Sequence, residues 1–294
     1  MEKKVDFFIV GAPKCGTTAL AEYLNQVEGA FIPEIKEPHF HCVEWEGFRR
    51  IKSEKEYSYL YKNAKNKKCG DASVWYLYSE RSASIIKEYN QDAKVIIMIR
   101  RPFDAAVSLH SQLLFSGRED EIDFVKAWKL QDARKRGEGV PKNAIVPEHL
   151  LYRSVYDYSE QIKRYYSAFG RDSVKVIFFE DFVDNTENIF LEVCSFLNLE
   201  YVGNLAFERV NSNRYHRYPK LMLFLMRPPQ PLRYFKEFLK RNILKNKPFL
   251  RGFYKKMSVK KERNNIEGSE KENIEQEFSQ VHKDMAEMFG RVPW

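Results

Sequence analysis

A short apolar run, a glycine-bounded loop and a helical stretch open the chain, and no other segment constrains the fold as much. Residues 5–10 read VDFFIV; Gly11-Ala12-Pro13-Lys14-Cys15-Gly16-Thr17-Thr18 follows, and then ALAEYL at 19–24. The pattern predicts a buried strand, a turn and a helix N-terminus. In that order the loop N–H groups and the first-turn N–H groups of the helix converge on one point, where the helix dipole favours negative charge. Gly11 and Gly16 allow the backbone a close approach that a Cβ would obstruct. The stretch therefore predicts a site for a phosphate-like group.

Two further apolar runs read as strands covered on both faces, KVIIMI at 94–99 and VKVIFF at 174–179. Cys69 to Ser73 leaves a shorter strand. Helical spacing appears at 53–62, with Ser53 as N-cap and Glu56 three residues on, and at 81–89, 102–115, 121–134, 149–169, 186–197 and 269–289. Gly170 and Gly290 stand where helix C-caps belong. Strands alternating with helices predict an α/β fold with a central, mostly parallel sheet flanked by helices. No repeat or low-complexity tract interrupts it, and 294 residues fit one domain with an elaboration at about 205–265.

Charge locates that elaboration. The net charge is +8, yet 209–263 carries 17 Lys and Arg against two acids, so this segment alone is +15 and the remainder is −7. Such a segment suits an anionic surface, an acidic polymer or nucleic acid, or it is simply a solvated face. No apolar run approaches the ~20 residues of a membrane span. The first strand begins too early to leave room for a signal peptide, and Cys15, Cys42, Cys69 and Cys194 show no CxxC spacing. These features predict reduced thiols and a cytoplasmic location.

The spacing Gly11-x4-Gly16 is that of the phosphate-binding loop G-x-x-x-x-G-K-[ST], but the match is partial. Thr17 and Thr18 stand where Lys and Ser/Thr belong, and the lysine lies upstream at Lys14. A kinase or NTPase also needs a strand-end acid for Mg²⁺. KVIIMI ends in Arg100, whereas VKVIFF ends in Glu180-Asp181, so that reading stays open through Asp181. Two arginines, Arg100 and Arg101, end a buried strand, where ligands of parallel sheets bind. With Ser108 two turns on, Arg100 suits a second phosphate; an ion pair with Asp92 or Asp104 is the plain alternative. Glu37, before Pro38 in the loop after the first helix, is placed to act as a general base. His39 and His41 form an H-x-H without a third ligand at metal-binding spacing, so no metal is expected.

Taken together, these residues resemble sulfotransferases that use 3′-phosphoadenosine 5′-phosphosulfate (PAPS). Pro13-Lys14-Cys15-Gly16-Thr17-Thr18-Ala19-Leu20 is similar to their 5′-phosphosulfate loop, and Lys36-Glu37-Pro38-His39-Phe40 to the K-E-P-H-F stretch of the branch with heparan sulfate sulfotransferases and bacterial relatives. Arg100-Arg101-Pro102 through Ser108 resembles the R-N-P-x-x-R-A-x-S element for the 3′-phosphate. The resemblance covers about 5–200 and 270–294 and implies a P-loop-like, three-layer fold in a single sulfotransferase domain. It implies Lys14 at the bridging and sulfuryl oxygens, with Glu37 as base and His39 beside it as catalytic groups. Cys15, Gly16, Thr17 and Thr18 would hold the 5′-phosphate, and Arg100 and Ser108 the 3′-phosphate. PAPS is then the donor, adenosine 3′,5′-bisphosphate the product, and no metal is required.

Departures from the family pattern are informative. Ala72 in Asp71-Ala72-Ser73-Val74-Trp75-Tyr76 replaces the lysine of an E-K-S-P-S-Y stretch. Arg101 replaces the asparagine of R-N-P, Ala105 replaces its second arginine, and the 3′-phosphate grip is then re-made by Arg101. His41 stands where a second phenylalanine is usual. The R-K-G-x-x-G-D-W-K motif of cytosolic phenol and steroid sulfotransferases is missing, as are the paired cysteines of secreted heparan-type members. The expected acceptor is a glycan, lipid or small molecule bearing a hydroxyl or amine. The segment 209–263 is expected as a lid over the acceptor, a contact to an anionic membrane surface or a reader of an acidic glycan, with no nucleic acid expected. A P-loop kinase or NTPase, or a basic module binding nucleic acid or membrane, is the rival reading.

Overall fold

The computed structural model describes residues 3–35, 37–201, 203, 205, 207, 214–216, 258–260, 266 and 268–294. Lys36 and most of the basic segment 209–263 lie outside them. The chain divides into two compact units, one of 1–106, 152–211 and 268–294, the other of 107–151 and 212–267.

The first unit is built on a five-stranded sheet with every neighbouring pair parallel. Its strands are β1 (Phe7–Gly11), β2 (Ala30–Phe31), β3 (Lys68–Asp71), β4 (Lys94–Ile99) and β5 (Val174–Phe178), in spatial order β2-β3-β1-β4-β5. All five residues of β1 and the last five of β4 are buried, as expected for strands covered on both faces. The chain leaves β1 toward β2 and β3 on one side, and β4 toward β5 on the other. The crevice beyond the C-terminal ends of β1 and β4 is thus the switch point where ligands of open α/β sheets bind. Among the described residues no helix is long and apolar enough to cross a membrane.

Helices α1 (Thr17–Leu24), α2 (Glu54–Tyr59), α3 (Ser82–Tyr89) and α4 (Pro102–Phe115) follow the expected stretches. Ser53 caps α2, its Oγ accepting the Glu56 N–H at 3.3 Å. The stretch 121–134, expected as one helix, is two: Asp123 caps α5 (Phe124–Lys129) by accepting the Lys126 N–H, and α6 (Gln131–Lys135) starts beyond Leu130. The stretch 149–169 is likewise divided, into α7 (Tyr152–Val155) and α8 (Tyr158–Phe169). The break between them lets Tyr156 and Tyr158 both turn inward and lie fully buried. Residues two apart on one helix would point to opposite sides. α9 (Phe179–Asp184) and α10 (Thr186–Phe196) follow β5, and Gly170 ends α8 at φ 78°. The last expected helix is also two, α11 (Ser269–Glu277) and α12 (Ser279–Phe289), joined at the fully buried Phe278.

The second unit contains the rest of α4, α5 and α6, and an antiparallel pair, β6 (Arg214–His216) with β7 (Ser258–Lys260). Its core holds an ion pair with no exposed side-chain surface. Both Arg134 Nη atoms donate to Glu119 at 2.7 Å, and Glu119 Oε1 also accepts the N–H groups of Asp120 and Glu121. A charge pair is tolerated in such surroundings only when its remaining lone pairs are satisfied, as here.

Candidate active site

The loop after β1 is held mainly through its backbone. Ala12 N–H donates to Met98 O at 2.6 Å, and Cys15 N–H to Ala12 O at 3.3 Å. Lys14 takes φ 66°, in the left-handed region, and Gly16 takes φ 88° as the N-cap of α1. The first N–H groups of α1 have no carbonyl one turn back, and Gly16 has no side chain to cover them, so they face the loop's concave side. Supports come from elsewhere in the unit: Tyr156 OH donates to Pro13 O at 3.1 Å, and Cys15 Sγ lies 3.7 Å from Tyr158 OH. Burial pushes the Cys15 thiol up to about 12, so it stays neutral. All four cysteines are free thiols. Phe179 packs directly against Gly16; a Cβ there would stand 2.8 Å from the ring.

The same phenylalanine reaches the second expected anion site. The Arg100 guanidinium lies 4.6 Å from the Phe179 ring centroid, and its buried Nε has no hydrogen-bond partner among the described residues. Tyr158 OH, beside Cys15, donates to Arg100 O at 3.0 Å. Arg101 differs: its N–H donates to Glu180 Oε1 at 3.1 Å and its Nη2 pairs with Glu275 Oε1 at 3.0 Å, so its guanidinium is engaged by α11. Burial pushes the Glu180 carboxyl up, while the Arg101 amide and the Arg100 charge oppose this. Asp181 lies in α9 and pairs with Arg291 through both oxygens, at 2.6 and 3.3 Å. Ser108 is buried on the part of α4 that belongs to the second unit.

Glu37 and His39 lie together, with His39 Nε2 3.3 Å from Glu37 Oε2. Both have left-handed backbones, φ 55° and 51°. His39 is buried and stacked on Phe48, ring centroids 4.4 Å apart, while a third of the Glu37 side chain is exposed. His41 sits inside a cage formed by Phe8, Phe40, Tyr57, Tyr76 and Tyr89. Burial, with Arg49 adding to it, lowers its imidazole to about 3. Among the described residues no group of three or more His, Cys, Asp or Glu side chains is disposed to hold a metal ion.

The structure thus joins Lys14, Cys15, Gly16, Thr17 and Thr18 to Arg100 through Phe179 and Tyr158, and it joins Glu37 to His39. Sequence reasoning missed Tyr156, Tyr158 and Phe179, and also Asp71, a buried carboxylate at the C-terminal end of β3. An acid ending a short strand was the available signal for Asp71; the two tyrosines and Phe179 carried none of their own.

Comparison with known proteins gives the family and the fold. A sulfotransferase domain family model matches residues 4–227, and the chain belongs to that family. A sulfotransferase from Alicyclobacillus acidocaldarius is 29% identical, with a TM-score of 0.63 over 85% of this chain and 99% of that one. The mouse sulfotransferase SULT7A1, solved as a complex with PAP, is 14% identical, with a TM-score of 0.51 over 96% of this chain and 84% of that one, a likeness of fold. No curated protein sequence matches the chain significantly. The protein is a PAPS-dependent sulfotransferase with the expected α/β, P-loop-like fold.

Proposed function

We propose that the chain transfers a sulfuryl group from PAPS to a hydroxyl or amine of a glycan, lipid or small-molecule acceptor, with Glu37 as base. The observation that carries this reading is Phe179. One ring lies against Gly16 of the anion loop and under the guanidinium of Arg100, so two anion grips stand at a set separation at the switch point. Two observations support a ligand with phosphate at both ends: Gly16 has no Cβ to displace the Phe179 ring that also carries Arg100, and Arg100 Nε is buried without a partner among the described residues.

In this reading Cys15, Gly16, Thr17 and Thr18 hold the 5′-phosphate through N–H groups and the two hydroxyls. Arg100 holds the 3′-phosphate, and the family motif adds Ser108 as its second contact. When bound, the donor supplies an activated sulfuryl group on its phosphosulfate anhydride. Lys14 sets an ammonium beside the bridging and sulfuryl oxygens, where charge develops as the bond breaks. Glu37 Oε2 faces His39 Nε2, which leaves Oε1 to take the acceptor's proton as the new bond forms. A sulfuryl group carries less charge than a γ-phosphoryl group, so a lysine and backbone dipoles suffice at the transition state.

The test incubates the full chain with ³⁵S-labelled PAPS and a panel of phenols, alcohols, hexosamines and glycolipids, with and without EDTA. Label transfer that survives EDTA, with release of adenosine 3′,5′-bisphosphate, is expected. Transfer abolished by EDTA, or hydrolysis of ATP in its place, would overturn the reading in favour of a P-loop kinase. The basic segment 209–263 lies almost wholly outside the described residues; we assign it to the elaboration of a single domain and to anionic-surface contact, read from its charge alone.

A further inference from the structure

Buried carboxylates need donors, and Asp71 has three. It ends β3, is 1% exposed, and receives Ser73 Oγ on Oδ1 at 2.7 Å and Tyr57 OH and Tyr76 OH on Oδ2 at 2.7 and 2.9 Å. A hydroxyl has one hydrogen, and each of these is spent on Asp71, so its oxygen can only accept from other groups. Two of the three accept backbone N–H groups of one loop: Ser73 Oγ from His39 at 3.1 Å, and Tyr76 OH from His41 at 3.2 Å. The third residue holds the position between them, since the Tyr57 ring stacks on Phe40 at 4.4 Å and 15°. Three consecutive residues of the loop, 39 to 41, are therefore each held by one arm of the same carboxylate.

That loop needs holding. Glu37 and His39 both occupy the left-handed backbone region, which non-glycine residues keep only where their surroundings over-determine it. The His39 ring in turn sets Glu37, with Nε2 3.3 Å from Oε2. We propose that Asp71 is a positioning residue for sulfuryl transfer: through Ser73, Tyr57 and Tyr76 it orders the loop that aims Glu37, without touching either substrate. The proposal rests on the reading of Glu37 as base. The polarity of the network makes it specific to a carboxylate. The amide introduced by Asp71→Asn would present an N–H₂ toward a hydroxyl that already donates; that hydroxyl must turn its hydrogen away, and the geometry that aims its oxygen at the backbone N–H is disturbed.

The test compares Asp71→Asn, Ser73→Ala and Glu37→Gln in the full chain, and Asp71→Asn in the Glu37→Gln background. Amide hydrogen exchange reads the loop directly. Asp71→Asn is expected to raise exchange at His39 and His41 at least tenfold while Ile96 and Ile97 of β4 keep their protection. Release of ³⁵S-sulfate from labelled PAPS, with water as acceptor, reads the chemistry. The rate is expected to fall about tenfold with binding of adenosine 3′,5′-bisphosphate unchanged, and to fall no further when Asp71→Asn is added to Glu37→Gln. Unchanged exchange at His39 and His41 would overturn the proposal, and so would loss of protection in β4 or an equal further loss of rate in the Glu37→Gln background. Should Asp71→Asn fail to fold, Ser73→Ala keeps the carboxylate and removes only the His39 arm; exchange at His39 then decides. If Glu37→Gln keeps full activity, the base assignment fails by itself, and the exchange measurement still decides whether Asp71 holds the loop.

Discussion

The two loops to which the proposed function assigns the chemistry are built in opposite ways. The loop from Gly11 to Thr18 is a backbone device: glycine angles, unpaired helix N–H groups and one strand-to-loop hydrogen bond from Ala12 to Met98 shape it. The loop from Glu37 to His41 is a side-chain device, held by hydroxyls on a carboxylate from a different strand and by stacked rings. The contrast suits their tasks. An anion is held well by many fixed dipoles, whereas a base needs one oxygen aimed at one proton. Lesions in the first loop should therefore appear mainly in donor binding, and lesions in the second mainly in turnover.

Substitutions can sharpen or break that division. Glu37→Gln should cost the most, about 10²–10⁴ in turnover with bisphosphate affinity intact; parallel loss of affinity would show that this loop also binds donor. Lys14→Ala should lower turnover by roughly 10²–10³, the one member of the first loop to act chiefly on the rate. For Arg100→Ala, calorimetry should find bisphosphate binding weaker by about 1.5–3 kcal/mol, and unchanged affinity would make Arg100 structural. Gly16→Ala forces a Cβ against Phe179 at φ 88°, and a left-handed alanine costs roughly 1–2 kcal/mol, to be read as weaker bisphosphate binding with turnover at saturation spared.

The smallest effect concerns His41. It remains neutral down to about pH 3 when folded but takes up a proton near 6.5 when unfolded. The unfolded chain thus binds more protons between those values, and folding stability falls as the pH drops from 6.5 toward 3. His41→Phe restores the aromatic residue of the family pattern and removes a buried Nε2 that has no partner among the described residues. It should gain about 1 kcal/mol at neutral pH and show a shallower acid limb in urea denaturation. An acid limb parallel to that of the wild type would place the proton uptake elsewhere.

What could be read from the sequence follows the same division. β4 and α4 lie where the apolar run KVIIMI and the proline after Arg101 put them, because those signals are local. The first loop was legible for the same reason: glycine spacing is written in one stretch of chain. The second was legible only as a resemblance around Glu37, since its supports, Tyr57, Asp71, Ser73 and Tyr76, are 16 to 39 positions away along the chain and mean nothing until β3 is placed. The interruptions at 156–157 and 278 were hidden because an apolar stripe continues across each of them. Only packing shows that Tyr156 and Tyr158 must both turn inward, or that Phe278 is buried at a joint.

The late return of the chain to the first unit has a consequence for biosynthesis. Ile274, Phe278, Val281 and Met285 are buried there, α12 packs on α8, and Ser159 donates to Asp284 at 2.6 Å. Arg101, at the mouth of the sheet, finds its carboxylate in α11. A nascent chain still tethered short of residue 269 would expose the face of α8 that these helices cover and would leave Arg101 without Glu275. The sheet can assemble on the ribosome, but the frame around Arg101 is finished only after residues 269–289 have emerged. During that interval chaperones have an apolar surface to grip, and a stall anywhere in the basic segment would release a product with its anion loop made and its frame still open.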